Sequence, residues 1–182
     1  KCITDYFNDL NIQTDCLESL MGAVRFANNT ICSEHYIPYL SQMSCVLTAA
    51  LINLETGQMD VCHVGDTRLY ILKDEVFTQI THDHSLVGVM EESGQISEDA
   101  AMRHPRRNII TRSIGKEILY DDSGYIQTHT LHLEPCTLIL CSDGLYDMVH
   151  SSQTKQILQE AIPADERVEK LIDAALEAGG KD

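Results

Sequence analysis

The order of the short apolar segments is the feature that most limits what this chain can fold into. Apolar residues recur at three- and four-residue steps over residues 16–31, which predicts an amphipathic helix with Asp15 close to its start. Four short apolar runs, each separated from the next by turn residues, follow at 45–53, 59–64, 68–72 and 76–80. Short runs and turns of this kind predict strands that pair as two hairpins.

The second half of the chain has a different order of segments. Residues 82–124 are polar with only weak helical periodicity, and we interpret them as an insert over the surface. Strands are predicted at 125–133 and 136–142, and the second should be buried because it is apolar on both faces. Two helices follow, the first capped by Ser151 or Ser152. The second is expected to bury an apolar set, namely Val168, Leu171, Ile172, Ala175 and Leu176. Consecutive strands between helices predict an α+β fold with antiparallel sheet covered by helices.

Length and composition fit one globular domain. The 182 residues are 43% hydrophobic and 23% charged, as in ordinary globular domains. No run approaches the roughly 18 apolar residues of a membrane span, and the first residues lack the pattern of an export signal. Seven cysteines occur without C-x-x-C spacing, which favours reduced thiols and a cytoplasmic location.

The charge balance argues against one class of partner and points to another. Thirteen Lys and Arg against 28 Asp and Glu give a formal charge of -15, which would repel a nucleic-acid backbone. Residues 103–116 nevertheless contain no acid and five basic side chains, namely Arg103, Arg106, Arg107, Arg112 and Lys116. We therefore expect a local positive patch that meets anions.

Three aspartates stand where predicted strands or helices end. They are Asp66, Asp143 and Asp182, and each has a glycine within three residues. A carboxylate at a strand end beside a glycine is one way in which a fold presents oxygen to a hard cation. The same residue pairs also simply make turns, and composition leaves both interpretations open. Cys141 lies close to Asp143 but inside an apolar strand, where an inert, packed thiol is expected.

Five blocks of sequence together carry a more specific signal. In chain order they are V-G-D-T-R-L-Y at 64–70, T-H-D-H-S-L-V at 81–87, R-N-I-I-T-R-S-I-G at 107–115, L-I-L-C-S-D-G-L-Y-D-M-V at 138–149 and G-G-K-D at 179–182. This ordered set resembles the C-terminal two thirds of a metal-dependent protein phosphatase of the PPM family, the type 2C serine/threonine phosphatases, in its bacterial signalling form. Residues 24–31 are similar to a helix of the same family, so the resemblance covers nearly the whole chain.

The resemblance implies a fold, a cofactor and a reaction. It implies a β-sandwich flanked by helices, in α-β-β-α layers, with two or three Mn²⁺ or Mg²⁺ ions at one end. The enzyme would be a hydrolase that cleaves phosphoserine and phosphothreonine in proteins with metal-activated water. Asp143 and Asp182 match ligands of the first metal, and Asp66 with Asp143 matches the site of a third.

Substrate contacts are expected on the insert, which occupies about residues 82–124 in a single partial domain spanning 1–182. In the family, this segment forms a flap beside the active site. Arg103, His104 and Arg106 would then contact the phosphopeptide, since guanidinium groups pair well with phosphate. A solvated surface role for these side chains stays open. The implied partners are phosphorylated proteins and an opposing serine/threonine kinase.

Several family features do not occur in this sequence. It contains no early acidic strand residue, phosphate-binding arginine or Asp-Gly-x-Gly-Gly turn that match the family pattern, so the catalytic residues stay unknown. We therefore expect a domain incomplete at both ends, inactive by itself, with exposed sheet edges that favour dimers. Two alternatives remain: a pseudophosphatase or regulatory binding module, and a phosphatase of anti-sigma-factor antagonists, which the length of the insert disfavours.

Overall fold

The computed structural model describes residues 3, 6, 15–34, 43–120 and 124–180. The chain divides into two compact units, a first formed by Lys1–Gly65 with Thr111–Glu134 and a second formed by Asp66–Ile110 with Pro135–Asp182. In chain order the elements are α1 (Cys16–Ser33), β1 (Leu47–Ile52), β2 (Gln58–Val64), β3 (Arg68–Lys73), β4 (Val76–Gln79), α2 (Leu86–Glu92), α3 (Glu98–Met102), β5 (Gln127–His132), β6 (Thr137–Cys141), α4 (Asp143–Tyr146), α5 (Ser151–Leu158) and α6 (Ala164–Glu177).

The first unit packs α1 on an antiparallel sheet of order β1-β2-β5. The helix starts where predicted, because the Asp15 carboxylate accepts a hydrogen bond of 3.0 Å from the Leu17 backbone nitrogen. Its apolar face joins the sheet in one core, whose fully enclosed members include Leu20, Val24, Cys62, Val64 and Ile114. Burial of these side chains stabilises the unit.

The second unit contains an antiparallel sheet of order β4-β3-β6 and the five remaining helices of the described chain. Leu72, Leu158 and Leu171 form the centre of a smaller core between the sheet and the last two helices. Register pairs Arg68 with Cys141, so the start of β3 lies beside the end of β6. This end of the sheet is where the candidate site is found.

The α+β class with antiparallel sheets and helices is confirmed, and so are the two predicted hairpins. Within the described residues, no helix combines the length and the apolar character that a membrane crossing requires. The insert is more regular than its sequence indicated, since its weak periodicity corresponds to the short helices α2 and α3.

Three packing predictions are wrong. Strand β6 is not buried on both faces, because it lies at the edge of its sheet in the described chain and leaves Leu140 50% exposed. Helix α6 buries Leu171 and Ala175 but exposes the other predicted members, Val168, Ile172 and Leu176. The cap of α5 is His150, whose ring accepts from the Ser152 backbone nitrogen, rather than either serine.

Candidate functional site

Asp66 lies in the short turn between β2 and β3 and is only 8% exposed. The preceding Gly65 has a φ of +116°, and a Cβ there would lie 2.3 Å from Val46 Cγ1. Glycine is therefore required to form this turn. Burial raises the pKa of Asp66 to about 6, and the negative charge of Asp143 is the next largest cause. The two carboxylates thus interact electrostatically.

Asp143 reaches the same end of the sheet from the neighbouring strand. It follows β6 by one residue and begins α4, where the Gly144 backbone nitrogen donates to its Oδ1 at 3.0 Å. Arg68 on β3 pairs with Cys141 on β6 in antiparallel register. Asp66 lies two residues before Arg68 and Asp143 lies two residues after Cys141, so both aspartates lie beyond the same end of the two strands. Asp182, the third predicted ligand, lies outside the described residues.

The donor chemistry of this end of the sheet fits a hard divalent cation. The carboxylates of Asp143, Asp83 and Asp147 all raise the pKa of Asp66, so the site carries negative charge that a cation would offset. Carboxylate oxygens are the ligands that Mg²⁺ and Mn²⁺ prefer. Within the described part of the chain, no group of three or more His, Cys, Asp or Glu is arranged to hold a metal.

A buried arginine, Arg68, follows Asp66 by two residues. Arg68 is 7% exposed, and its guanidinium donates to both carboxylate oxygens of Asp83, with the shortest bond 2.7 Å from Nη2 to Oδ2. Nη2 also donates to Glu91 Oε2 at 3.0 Å. Burial lowers the pKa of Arg68, but the charge of Asp83 together with Tyr70 and the hydrogen bonds to both residues more than reverses this, so the guanidinium stays charged. A bidentate pair of this kind fixes orientation.

The insert holds Asp83 close to the sheet through a glycine on α2. A Cβ on Gly88 would lie 2.4 Å from the Cβ of Asp83, so a larger residue does not fit there. Ser85 begins the same helix by accepting a hydrogen bond of 2.9 Å from the Gly88 backbone nitrogen. Burial raises the pKa of Asp83, and its bonds to Arg68 lower it. These contacts place the insert beside the start of β3.

Tyr146 completes the surroundings of Asp66. Its ring centroid lies 3.9 Å from Arg68 Cζ, a cation–π contact. Its hydroxyl donates to the backbone carbonyl oxygen of Asp66 at 2.9 Å. Burial raises the pKa of Tyr146 far above its usual range, with Asp83 and Asp66 adding to the shift, so the phenol remains a neutral donor.

The predicted substrate-binding residues lie on the insert after α3. Arg103 and Arg106 are exposed, and the half-buried His104 accepts through Nδ1 from the Arg106 backbone nitrogen at 3.2 Å. Arg103 lines a cavity of about 380 Å³ together with Asp147 and His150. Arg103 thus lies near Asp147, one of the carboxylates that raise the pKa of Asp66.

The predicted basic patch is interrupted by one ion pair. Arg107 Nε donates to Asp147 Oδ2 at 2.7 Å, so its charge is offset. Arg112 and Lys116 belong to the first unit, where each donates to a backbone carbonyl oxygen. Arg103 and Arg106 are the members of the patch left exposed in the second unit.

Cys141 has the inert character expected from its sequence context. Burial raises the pKa of its thiol to about 12, so the thiol stays protonated at neutral pH. The six cysteines in the described residues are all free thiols.

Sequence reasoning missed the residues that support the aspartates. Arg68 and Asp83 lie inside two of the sequence blocks, but a charged residue in a short strand or a loop gives no local sign of burial. Arg68 and Tyr70 are two apart and therefore share a face of β3. Arg68 Nη1 donates a hydrogen bond of 3.1 Å to the Tyr70 hydroxyl, which confirms that the two side chains share a face. The alternation of side chains along β3 was the sequence signal that could have predicted this contact.

The fold and the site define a class of protein: an α+β domain whose antiparallel sheet presents paired carboxylates suited to a divalent cation. Comparison with known proteins makes the class specific. The chain belongs to the protein phosphatase 2C family, whose family model matches residues 23–182.

Curated relatives are bacterial phosphatases. The chain is 36% identical over 146 residues to the serine/threonine phosphatase stp of Listeria innocua, a match that covers 79% of this chain and 55% of that protein. It is 36% identical over 137 residues to the protein phosphatase PhpP of Streptococcus pneumoniae, covering 74% of this chain and 54% of that one. The chain thus spans about half the length of these relatives.

Solved structures of the same kind superpose on nearly the whole chain. The Mycobacterium tuberculosis serine/threonine phosphatase PstP/Ppp is similar with a TM-score of 0.83 and 31% identity, over 99% of this chain and 74% of that one. A structure of the catalytic domain of PstP in complex with two manganese ions is similar with a TM-score of 0.80 and 30% identity, over 100% and 75%.

Proposed function

We propose that the protein containing this chain is a metal-dependent serine/threonine phosphatase that hydrolyses phosphoserine and phosphothreonine in other proteins. The single observation that carries the proposal is the position of Asp66 and Asp143 at the same end of the β3 and β6 ladder. Membership of the protein phosphatase 2C family supports it, and so do relatives named as serine/threonine phosphatases.

Asp66, Asp143 and Asp182 would hold metal in this chain, as part of a site for two or three Mn²⁺ or Mg²⁺ ions. When bound, such ions polarise a phosphoryl group and lower the pKa of attacking water. The chain's own contribution is to fix the carboxylates and to hold Asp66 beside acidic neighbours whose negative charge a cation would offset. The two manganese ions in the PstP structure support this choice of cofactor.

The insert at about 82–124 would contact the substrate. Arg103 and Arg106 are exposed in the second unit, and His104 is half-buried between them. The positive charge of the two arginines would attract a phosphorylated segment against the overall charge of -15. A serine/threonine kinase of the same pathway would supply the substrate, because its product is the phosphorylated residue that the phosphatase consumes. Free cysteines favour a reducing location such as the cytoplasm.

Residues 1–182 by themselves should be inactive. The sequence contains no Asp-Gly-x-Gly-Gly turn, and in the described residues the carboxylates form no complete ligand group. We therefore treat 1–182 as one partial domain of the phosphatase type. The isolated chain should hydrolyse p-nitrophenyl phosphate with Mn²⁺ no faster than buffer, and clear Mn²⁺-dependent turnover would contradict this part of the proposal.

The test of the function uses the full-length protein and a phosphothreonine peptide. Mn²⁺-dependent release of phosphate is expected, with loss of activity in EDTA. Asp143→Asn should lower kcat by at least about tenfold, because one charge-assisted metal contact of more than about 1.4 kcal/mol is lost. Asp74→Asn makes the same chemical change in the exposed turn at the other end of β3. Asp74→Asn should keep wild-type activity, and an active Asp143→Asn variant would refute the site.

A regulatory binding module without catalysis is the second candidate. It is suggested by the sequence, in which no Asp-Gly-x-Gly-Gly turn occurs. The same experiment separates the two functions. A full-length protein that binds phosphopeptide but releases no phosphate over a range of Mn²⁺ concentrations would be the module.

A further inference from the structure

We propose that Tyr146 is a positioning residue that holds the Asp66 turn in the geometry needed to bind metal. The inference rests on the proposed function, because it concerns the same site. Its basis is a chain of contacts in the second unit that links the insert to the backbone of Asp66.

The link begins with the bond from the Tyr146 hydroxyl to the Asp66 carbonyl oxygen at 2.9 Å. This bond fixes the peptide that follows Asp66 and does not occupy the oxygens of its carboxylate. Asp66 belongs to a turn of only three residues between β2 and β3. A bond to its carbonyl therefore restrains the direction in which the carboxylate leaves the backbone.

The ring of Tyr146 is itself held in place. Arg68 Cζ lies 3.9 Å from the ring centroid, and Asp83 and Glu91 bind the Arg68 guanidinium and restrain it. Arg68 and Asp83 are both 7% exposed, which makes their ion pair strong and its rupture costly. The position of the tyrosine ring therefore depends on a rigid, buried group.

Tyr146 also connects the two halves of the site along the chain. It is the last residue of α4, whose first residue is Asp143. One turn of helix thus carries both the Asp143 carboxylate and the hydroxyl that holds Asp66. Because α4 fixes the spacing between them, a bond from Tyr146 to Asp66 also sets the distance between the two carboxylates.

Tyr146→Phe tests this role, since it removes the hydroxyl and keeps the ring on Arg68. In the full-length protein, we expect Mn²⁺ affinity, measured by titration calorimetry without substrate, to fall about threefold to tenfold, the value of one hydrogen bond. The Mn²⁺ concentration for half-maximal activity should rise by the same factor, while kcat at saturating Mn²⁺ stays within about twofold. Hydrogen exchange of residues 64–69 in metal-free protein should become faster.

Tyr70→Phe is the matched control. Its hydroxyl accepts from Arg68 Nη1 at 3.1 Å, and no hydrogen bond joins it to Asp66 among the described contacts. Arg68 keeps its bonds to Asp83 and Glu91 in this variant, so Mn²⁺ affinity should remain within about twofold of wild type. An equal loss of affinity in both tyrosine variants would show a general structural effect and overturn the inference.

The outcomes separate this inference from the function on which it rests. A wild-type protein that binds Mn²⁺ and releases phosphate, beside a Tyr146→Phe variant with unchanged Mn²⁺ affinity and exchange, refutes the positioning role alone. A wild-type protein that neither binds Mn²⁺ nor releases phosphate refutes both.

Discussion

At the scale of single residues, the second unit places charged groups where burial makes them costly. Arg68 and Asp83 offset each other's charge. Asp66 has three acidic neighbours, and no cationic group among the described residues pairs with it. An uncompensated carboxylate in this position destabilises the metal-free fold. A cation bound at the proposed metal site would offset this cost.

The pH dependence of stability should reveal this cost. The pKa of Asp66 rises from 3.8 in the unfolded chain to about 6 in the fold, so the protonated form is the one that the fold favours. The stabilisation that this pKa shift gives to the folded state is fully present below about pH 4 and is lost as the pH rises through about 6. Asp66→Asn should therefore stabilise the protein in EDTA at pH 8 by about 1 to 2 kcal/mol after allowance for solvent screening.

Urea denaturation of the full-length protein in EDTA at pH 5 and pH 8 measures this effect. The gain from Asp66→Asn should be smaller at pH 5 and should disappear when Mn²⁺ is added at pH 8. Asp74→Asn serves as the control, because its carboxylate lies in an exposed turn. An Asp66→Asn variant that is less stable than wild type at pH 8 in EDTA would contradict the view that the buried Asp66 carboxylate destabilises the fold.

At the scale of elements, the helices of the insert are held by polar side chains that reach distant segments. Glu98 begins α3 and accepts from both the backbone nitrogen and the hydroxyl of Ser151, at 2.6 and 2.7 Å. It also lies 3.0 Å from His150 Nε2. A single carboxylate therefore joins α3 to the first turn of α5, where the helix dipole favours negative charge.

Removal of that carboxylate should loosen both helices. Glu98→Ala is expected to lower the free energy of unfolding by about 1 to 3 kcal/mol, the sum of a lost cap and charge-assisted bonds. Glu92→Ala is the matched control, because Glu92 pairs with His82 in a bridge whose side chains are both about half exposed and should cost less than about 1 kcal/mol. Equal losses in thermal or urea denaturation would show that Glu98 does not join the helices.

The same scale shows what the sequence could predict. Helix α1, both hairpins and the antiparallel class followed from local periodicity and turns, because these features depend on nearby residues. The exposure of Leu140 did not, since an edge strand differs from a central one only in its neighbours. Asp66 and Asp143 were found from strand ends and motif blocks. The contact of Tyr146 with Asp66 spans 80 residues, and no local pattern encodes it.

At the scale of the whole molecule, four exposed apolar side chains of the second unit lie around one groove. Leu140, Val168, Ile172 and Leu176 are each at least half exposed. All four lie at or near the edge strand β6 and helix α6, where they surround a groove of about 420 Å³. Edge strands with exposed apolar side chains are templates for pairing with another chain. A net charge of -15 opposes such pairing, and salt screens that repulsion.

The isolated 182-residue chain should therefore form dimers through this apolar surface, and more readily as salt rises. Light scattering at increasing protein concentration, in 50 mM and 500 mM salt, measures the association. Ile172→Glu introduces a charge into the groove and should shift the equilibrium to monomer. Leu54→Glu makes the same kind of change at a side chain that is 91% exposed in the turn between β1 and β2, and should leave the dimer intact. A wild-type chain that stays monomeric at high concentration in 500 mM salt would contradict the prediction, and a dimer broken equally by both substitutions would place its interface elsewhere.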